Sequence, residues 1–175
     1  VSKAFRSLKI ALNDGPWSDN KARAKGLRRL AIVQLGSSEI DDNEFARRVV
    51  EMTIRKIIPI AMRAAALIHP MPEHKLALEN SALLCEKEGT KSAAESAAES
   101  AAWSAAKSAA WSAAWYAAKS AESAASAAES AAKSAAWYAA KSAAKDQVLT
   151  DFAEAVVQIA IEMKMPGCQF LDLVE

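Results

Sequence analysis

The side chains best suited to recognition chemistry lie in "SAAWSAAKSAAWSAAWYAAKSAE", Ser100 to Glu122, where the phrase Ser-Ala-Ala-X repeats with tryptophan or lysine at X. Trp103, Lys107, Trp111, Trp115, Tyr116 and Lys119 fall here, and Trp137 and Tyr138 open a second copy of "WYAAKSA". Each four-residue step turns a helix by about 400°, so the X positions drift by roughly 40° per repeat and form a slowly winding stripe. Aromatic faces beside ammonium groups can stack a base and neutralise a phosphate. The same side chains can anchor a protein interface, where Trp, Tyr and Arg commonly carry the binding energy. A third use is structural: alanine pairs let helix backbones approach closely, and rings that bury about 150–250 Å² each supply what methyl groups lack.

Other chemistry-bearing residues are sparse. The basic stretch "KARAKGLRRL" could grip phosphates, but it has no aromatic within it, and a solvated helix face is the simpler reading. His69 and His74 flank "PMPE" without a third ligand at recognisable spacing, so no metal is expected. Cys85 reads as a small core residue on a helix, because no His or Asp constellation supports a nucleophile. Gly-rich phosphate loops, nucleophile elbows and paired-carboxylate motifs are missing, so the expectation is a protein that is not an enzyme and carries no cofactor.

The elements that must position these residues are helices. Phe5, Leu8 and Leu12 share one face of a helix over about residues 2–12, which stops at "NDGPW". Ser18 or Asp19 caps a second helix to about Leu35, with Leu27, Leu30, Ile32 and Val33 on its apolar face and Gly36 ending it. A third begins after "SSEIDDNE" and carries Phe45, Val49, Val50, Ile54, Ile57, Ile58, Met62 and Leu67, with a kink expected at Pro59. Glu73 to Lys87 forms a fourth, ended by Gly89. No segment reads as a strand.

From Thr90 to Met165 neither Gly nor Pro occurs, and alanine has the best helix propensity of any residue. One unbroken helix of that length would span about 114 Å. A compact chain of this size has a diameter of roughly 40 Å, which favours a hairpin folding near residues 120–126 over a single long central helix. The last helix, about Asp146 to Met165, returns to ordinary amphipathic composition, and "PGCQFLDLVE" follows as a capping tail. The expected fold is an all-α bundle of six or seven helices in one domain over residues 1–175. Amphipathic helices fill 1–89, repeat helices 90–145, and the final helix and tail 146–175.

Charge narrows the partners. The 22 basic and 21 acidic side chains leave a net charge of +1, which gives no global reason to expect nucleic acid or an anionic membrane. Residues 1–35 carry eight basic side chains against Asp14 and Asp19, while Glu39 to Glu44 is acidic, so the two patches pair or are solvated. Two distant cysteines, no apolar run of membrane length and no apolar leader at the first residues point to a soluble cytoplasmic protein.

At "EHKLALENSALLCEKEGTKSAAESAAESAAWSAAKSAAW" an amphipathic helix ends at Gly and enters Ala-rich helices studded with Trp and Tyr. Here the chain resembles a group of immunity-like helical proteins of bacteria, phages and prophages, over about residues 57–145. The resemblance implies a small all-helical protein that neutralises or sequesters something: a toxin, a host defence protein, or a nucleotide signal held between Trp and Lys. It carries over no catalytic residue. The expected partner is a protein bound by the Trp/Lys stripe, with a nucleotide ligand and a homo-oligomer as the alternatives.

Overall fold

The computed structural model describes residues 1–69, 72–103 and 145–174. The fold is all-α. In chain order the helices are α1 (Lys3–Asn13), α2 (Asn20–Val33), α3 (Asp42–Met52), α4 (Ile58–Ile68), α5 (Pro72–Glu88), α6 (Lys91–Trp103) and α7 (Lys145–Glu162). A short 3-10 turn, Ser37–Glu39, follows α2, a π turn, Thr53–Ile57, joins α3 to α4, and a 3-10 helix, Pro166–Leu173, ends the chain.

Helix starts follow local chemistry. Ser2 caps α1 by accepting the Phe5 N–H, Asp19 caps α2 by accepting the Ala22 N–H, and Asp41 caps α3 by accepting those of Asn43 and Glu44. Each satisfies amide donors that the first helical turn leaves unpaired. So α3 starts inside the acidic run and not after it: Asp41 is the cap, and Asp42 and Glu44 fill the first turn, where carboxylates meet the positive end of the helix.

The segment through Pro59 stays helical from Asp42 to Ile68, and the disturbance at proline takes the form of a π turn. Proline has no N–H for the backbone ladder, and its ring crowds the turn before it. The chain meets this by widening to a π turn, in which the Ile58 N–H reaches back to the Thr53 carbonyl, and Pro59 then sits in the first turn of α4, where a missing N–H costs nothing. Thr53 Oγ1 donates to the Val49 carbonyl at 2.7 Å beside this turn.

The buried side chains form one continuous core among the described residues, from Phe5 to Leu171. The apolar face expected of α1 is the buried one, and Phe5 stacks on Phe45 of α3 with ring centroids 5.1 Å apart. Helix α2 lies on α7 and on the C-terminal 3-10 helix, α4 on α5, and α5 on α6. Ala93, Ala94, Ala97 and Ala98 of α6 are buried, so the first Ala/Ser repeats turn their methyl side inward. Helix α7 stops at Glu162, three residues before the expected Met165. There Lys164 adopts φ 54°, its N–H bonds to the Ile161 carbonyl, and the Met165 N–H bonds to that of Ala160. That pair of bonds is a Schellman stop. The tail beyond it is no loose cap but the 3-10 helix, packed on α2.

Candidate interaction surface

The stripe chosen from sequence falls where little is described. Trp103 is the last residue of α6, and its side chain, like Lys107, Trp111, Trp115, Tyr116, Lys119, Trp137 and Tyr138, lies outside the described residues. The expected bend near residues 120–126 does too.

A different surface emerges on the α4–α5 hairpin. Arg63 of α4 makes a two-pronged contact with the Glu86 carboxylate, with Nη2 donating to Oε2 at 2.9 Å, and its Nε lies 3.4 Å from Glu79 Oε2. The Arg63 guanidinium holds the Glu86 carboxyl below the usual carboxylate range, and Glu86 in turn raises the Arg63 pKa. These ions mark where the two helices face each other. Ile60 and Leu67 lie three and four residues from Arg63, on the same side of α4. Leu76 and Leu83 lie beside Glu79 and Glu86 in the same way on α5.

On each helix the charged residues sit roughly 40–80° around the axis from the apolar pair. Only three residues separate α4 from α5, so they run antiparallel, and the equal offsets bring both apolar rows to the same outer side of the hairpin. Ile60, Leu67, Leu76 and Leu83 retain 37%, 79%, 62% and 55% of their accessible surface. Leu67, read from sequence as core, is therefore the most exposed of the four. Covering all four would contribute on the order of 3–7 kcal/mol before the costs of association, a useful share of an interface but not all of one.

Arg55 fixes the far end of this hairpin. The π turn aims its guanidinium at the C-terminus of α5, where Nη1 donates to the Glu86 and Lys87 carbonyls at 2.9 and 2.8 Å and Nη2 to that of Glu88 at 2.9 Å. Nε donates to Glu51 at 3.0 Å. A cation at a helix C-terminus satisfies its open carbonyls and its dipole together. Gly89 is required here twice over: its φ is +63°, and a Cβ would stand 2.4 Å from Arg55 Nε.

The remaining candidates separate clearly. A groove of about 390 Å³ between α3 and α7 is lined by Arg47, Arg48 and Arg55, yet carboxylates already occupy them. Glu44 accepts from Arg47 Nε and Arg48 Nε, each at 2.7 Å, and Arg48 Nη1 also reaches Glu162. These hydrogen bonds hold the Glu44 carboxyl down to about 2. The acidic run thus pairs largely with its own helix.

On the basic helix, Arg29 pairs with Glu154 at 2.9 Å, whereas Lys21, Lys25 and Arg28 stay at the surface. An aromatic does reach this helix, contrary to the linear reading. The Trp17 ring lies on α2 at Gly26, where a Cβ would meet it at 2.5 Å, and its Nε1 donates to the Leu12 carbonyl at 2.8 Å.

His69 and His74 come together, with ring centroids 4.7 Å apart, but among the described residues no group of three or more His, Cys, Asp or Glu gathers as a metal site. Cys85 is fully buried, and burial, with Glu86 and Glu88 nearby, pushes its thiol up to about 11, the behaviour of a core residue. No described helix is long and apolar enough to cross a membrane.

Sequence reasoning missed the α4–α5 face because α5 is apolar on more than one side: Leu78 is buried while Leu76 and Leu83 are not. The seven-residue spacings Ile60/Leu67 and Leu76/Leu83, read together with Arg63 and the two glutamates, were the available signal. No family model, curated protein or solved structure matches the chain.

Proposed function

We propose that this chain is a non-enzymatic binding protein that holds a protein partner against the outer face of α4 and α5, and so neutralises or sequesters it. The resemblance of residues 57–145 to immunity-like proteins supplies the setting: a toxin or a defence protein in a conflict between bacteria and phages. The reading rests chiefly on the four exposed aliphatic side chains around the Arg63–Glu79–Glu86 cluster. Large apolar side chains gathered on one face are uncommon on a surface with nothing to cover it, and here the charges among them are already paired within the chain.

The test is affinity capture from extracts of a bacterial host, followed by binding measurements with the purified partner. Leu67→Asp/Leu76→Asp should weaken binding at least ~10-fold with unchanged melting. Trp111→Ala/Trp115→Ala, measured alongside, reports whether the repeat stripe shares the contact. A partner that binds the Asp variant as tightly as the parent protein would overturn the assignment of this face. Turnover of the partner by the purified chain would overturn the non-enzymatic reading.

A further inference from the structure

A second surface, independent of the hairpin, lies along α1. An open groove of about 690 Å³ is lined by Val1, Arg6, Lys9, Ile10, Asn13 and Gln34. Its volume falls within the range of small-molecule sites, roughly 300–1,000 Å³. Among the described residues no acidic side chain lines it, and neither Arg6 nor Lys9 has an ion pair. This contrasts with the α3–α7 groove, whose arginines are neutralised by Glu44, Glu51 and Glu162. Of the two carboxylates nearest in sequence, Asp14 accepts from Asn13 Nδ2 at the edge of the groove and Asp19 accepts the Ala22 N–H as the cap of α2.

The geometry points to a binding site for a small organic phosphomonoester. Arg6 and Lys9 are three residues apart on one helical face, so a guanidinium and an ammonium line the groove as neighbours. Two cations match the charge of a phosphomonoester, about −1.5 to −2 near neutral pH, better than that of a single carboxylate. The Arg fork suits phosphoryl oxygens in particular. Ile10, 51% exposed, and Val1, 59% exposed, offer an aliphatic wall that inorganic phosphate would leave uncovered, so the ligand has an organic body. The Asn13 and Gln34 amides provide neutral donors and acceptors for polar groups on that body. Phe5, on the core side of α1, is fully buried against Phe45, which holds the helix and its cations in place.

The experiment titrates the full chain at fixed ionic strength with phenyl phosphate and, separately, with inorganic phosphate, read by calorimetry. Phenyl phosphate should bind saturably and more tightly than inorganic phosphate. Arg6→Glu/Lys9→Glu should weaken it at least ~10-fold. Lys21→Glu/Lys25→Glu, with the same change in net charge on the neighbouring helix, should change it by less than about threefold. Ile10→Ser should weaken phenyl phosphate and leave inorganic phosphate unchanged. Equal losses from the two double variants would reduce the effect to general charge and overturn the site. Failure to saturate by about 10 mM overturns it as well, and equal affinity for the two probes overturns the organic body. All five substituted side chains lie at or near the surface, and unchanged melting of each variant separates lost binding from lost fold.

Discussion

Arg55 and Gly89 should act as one unit, and a double-mutant cycle can measure it. Arg55→Ala removes three hydrogen bonds to the carbonyls that end α5, together with the contact to Glu51. Bonds to charged groups contribute about 1.5–3 kcal/mol each when buried. The Arg55 side chain is 37% exposed, so water replaces part of that, and roughly 2–3 kcal/mol in total is the reasonable loss. Gly89→Ala has two costs. Holding alanine at φ +63° costs about 1–2 kcal/mol, and a Cβ 2.4 Å from Nε must drive the guanidinium off the helix end. The glycine variant therefore forfeits most of the same hydrogen bonds and should lose about 3–5 kcal/mol. In the double variant those bonds are lost once, leaving a coupling of roughly 2–3 kcal/mol. Urea unfolding of the four proteins, with common slopes, reads it directly. Additivity within about 0.5 kcal/mol would mean that Arg55 does not occupy the space Gly89 leaves open, and the account of how α5 is anchored would fail.

Three other measurements bear on the same structure. The two thiols should react at different rates with an aromatic disulfide at pH 8: half-buried Cys168 first, and Cys85, pushed to about 11 by burial, only at the rate of unfolding. Glu44 is held near 2 by Arg47 and Arg48, so its contribution to stability is complete above its ordinary value of 4.5 and is lost as pH falls from there toward 2. Glu44→Gln should flatten that acid limb in melting curves taken across the same range, and an unchanged limb would refute the pairing. Leu67→Ser and Leu83→Ser should each change unfolding free energy by about 0.5 kcal/mol or less, whereas Leu78→Ala, at a fully buried position, should cost about 2–5 kcal/mol.

The helices and their punctuation were legible because they obey short-range rules. Asp19 as a cap, Gly36 and Gly89 as stops, and Phe5, Leu8 and Leu12 as one buried face all follow from chemistry within a turn or two. The acidic run marks the start of α3 to within a few residues: Asp41 is the cap, and Asp42 and Glu44 already belong to the helix. Pro59 announces a disturbance but not its form, because a missing N–H can be met in more than one way, and here it is met by a π turn that packs against α5 and α6. Leu67 belongs to the apolar run by residue type only: nine residues place it about 180° around the helix from buried Ile58 and seven place it beside exposed Ile60. Trp17 could not be linked to Gly26 from the linear order, because their contact depends on how the turn at Gly15 and Pro16 folds back. The α4–α5 face is likewise a product of two helices and belongs to neither alone.

The passage from α3 to α4 has no loop in it, since the π turn carries the helical backbone directly from Met52 to Ile58. One rod thus runs through the described molecule, giving Phe45 to α1 at its start and Arg55 to the end of α5 farther along. Scission between residues 57 and 58 would separate the stopper of α5 from α5 itself and part α2 from α7 and from the C-terminal 3-10 helix on which it lies. Neither fragment would retain what it needs to hold its shape, so a split version of this protein should regain its form only when both pieces are present together.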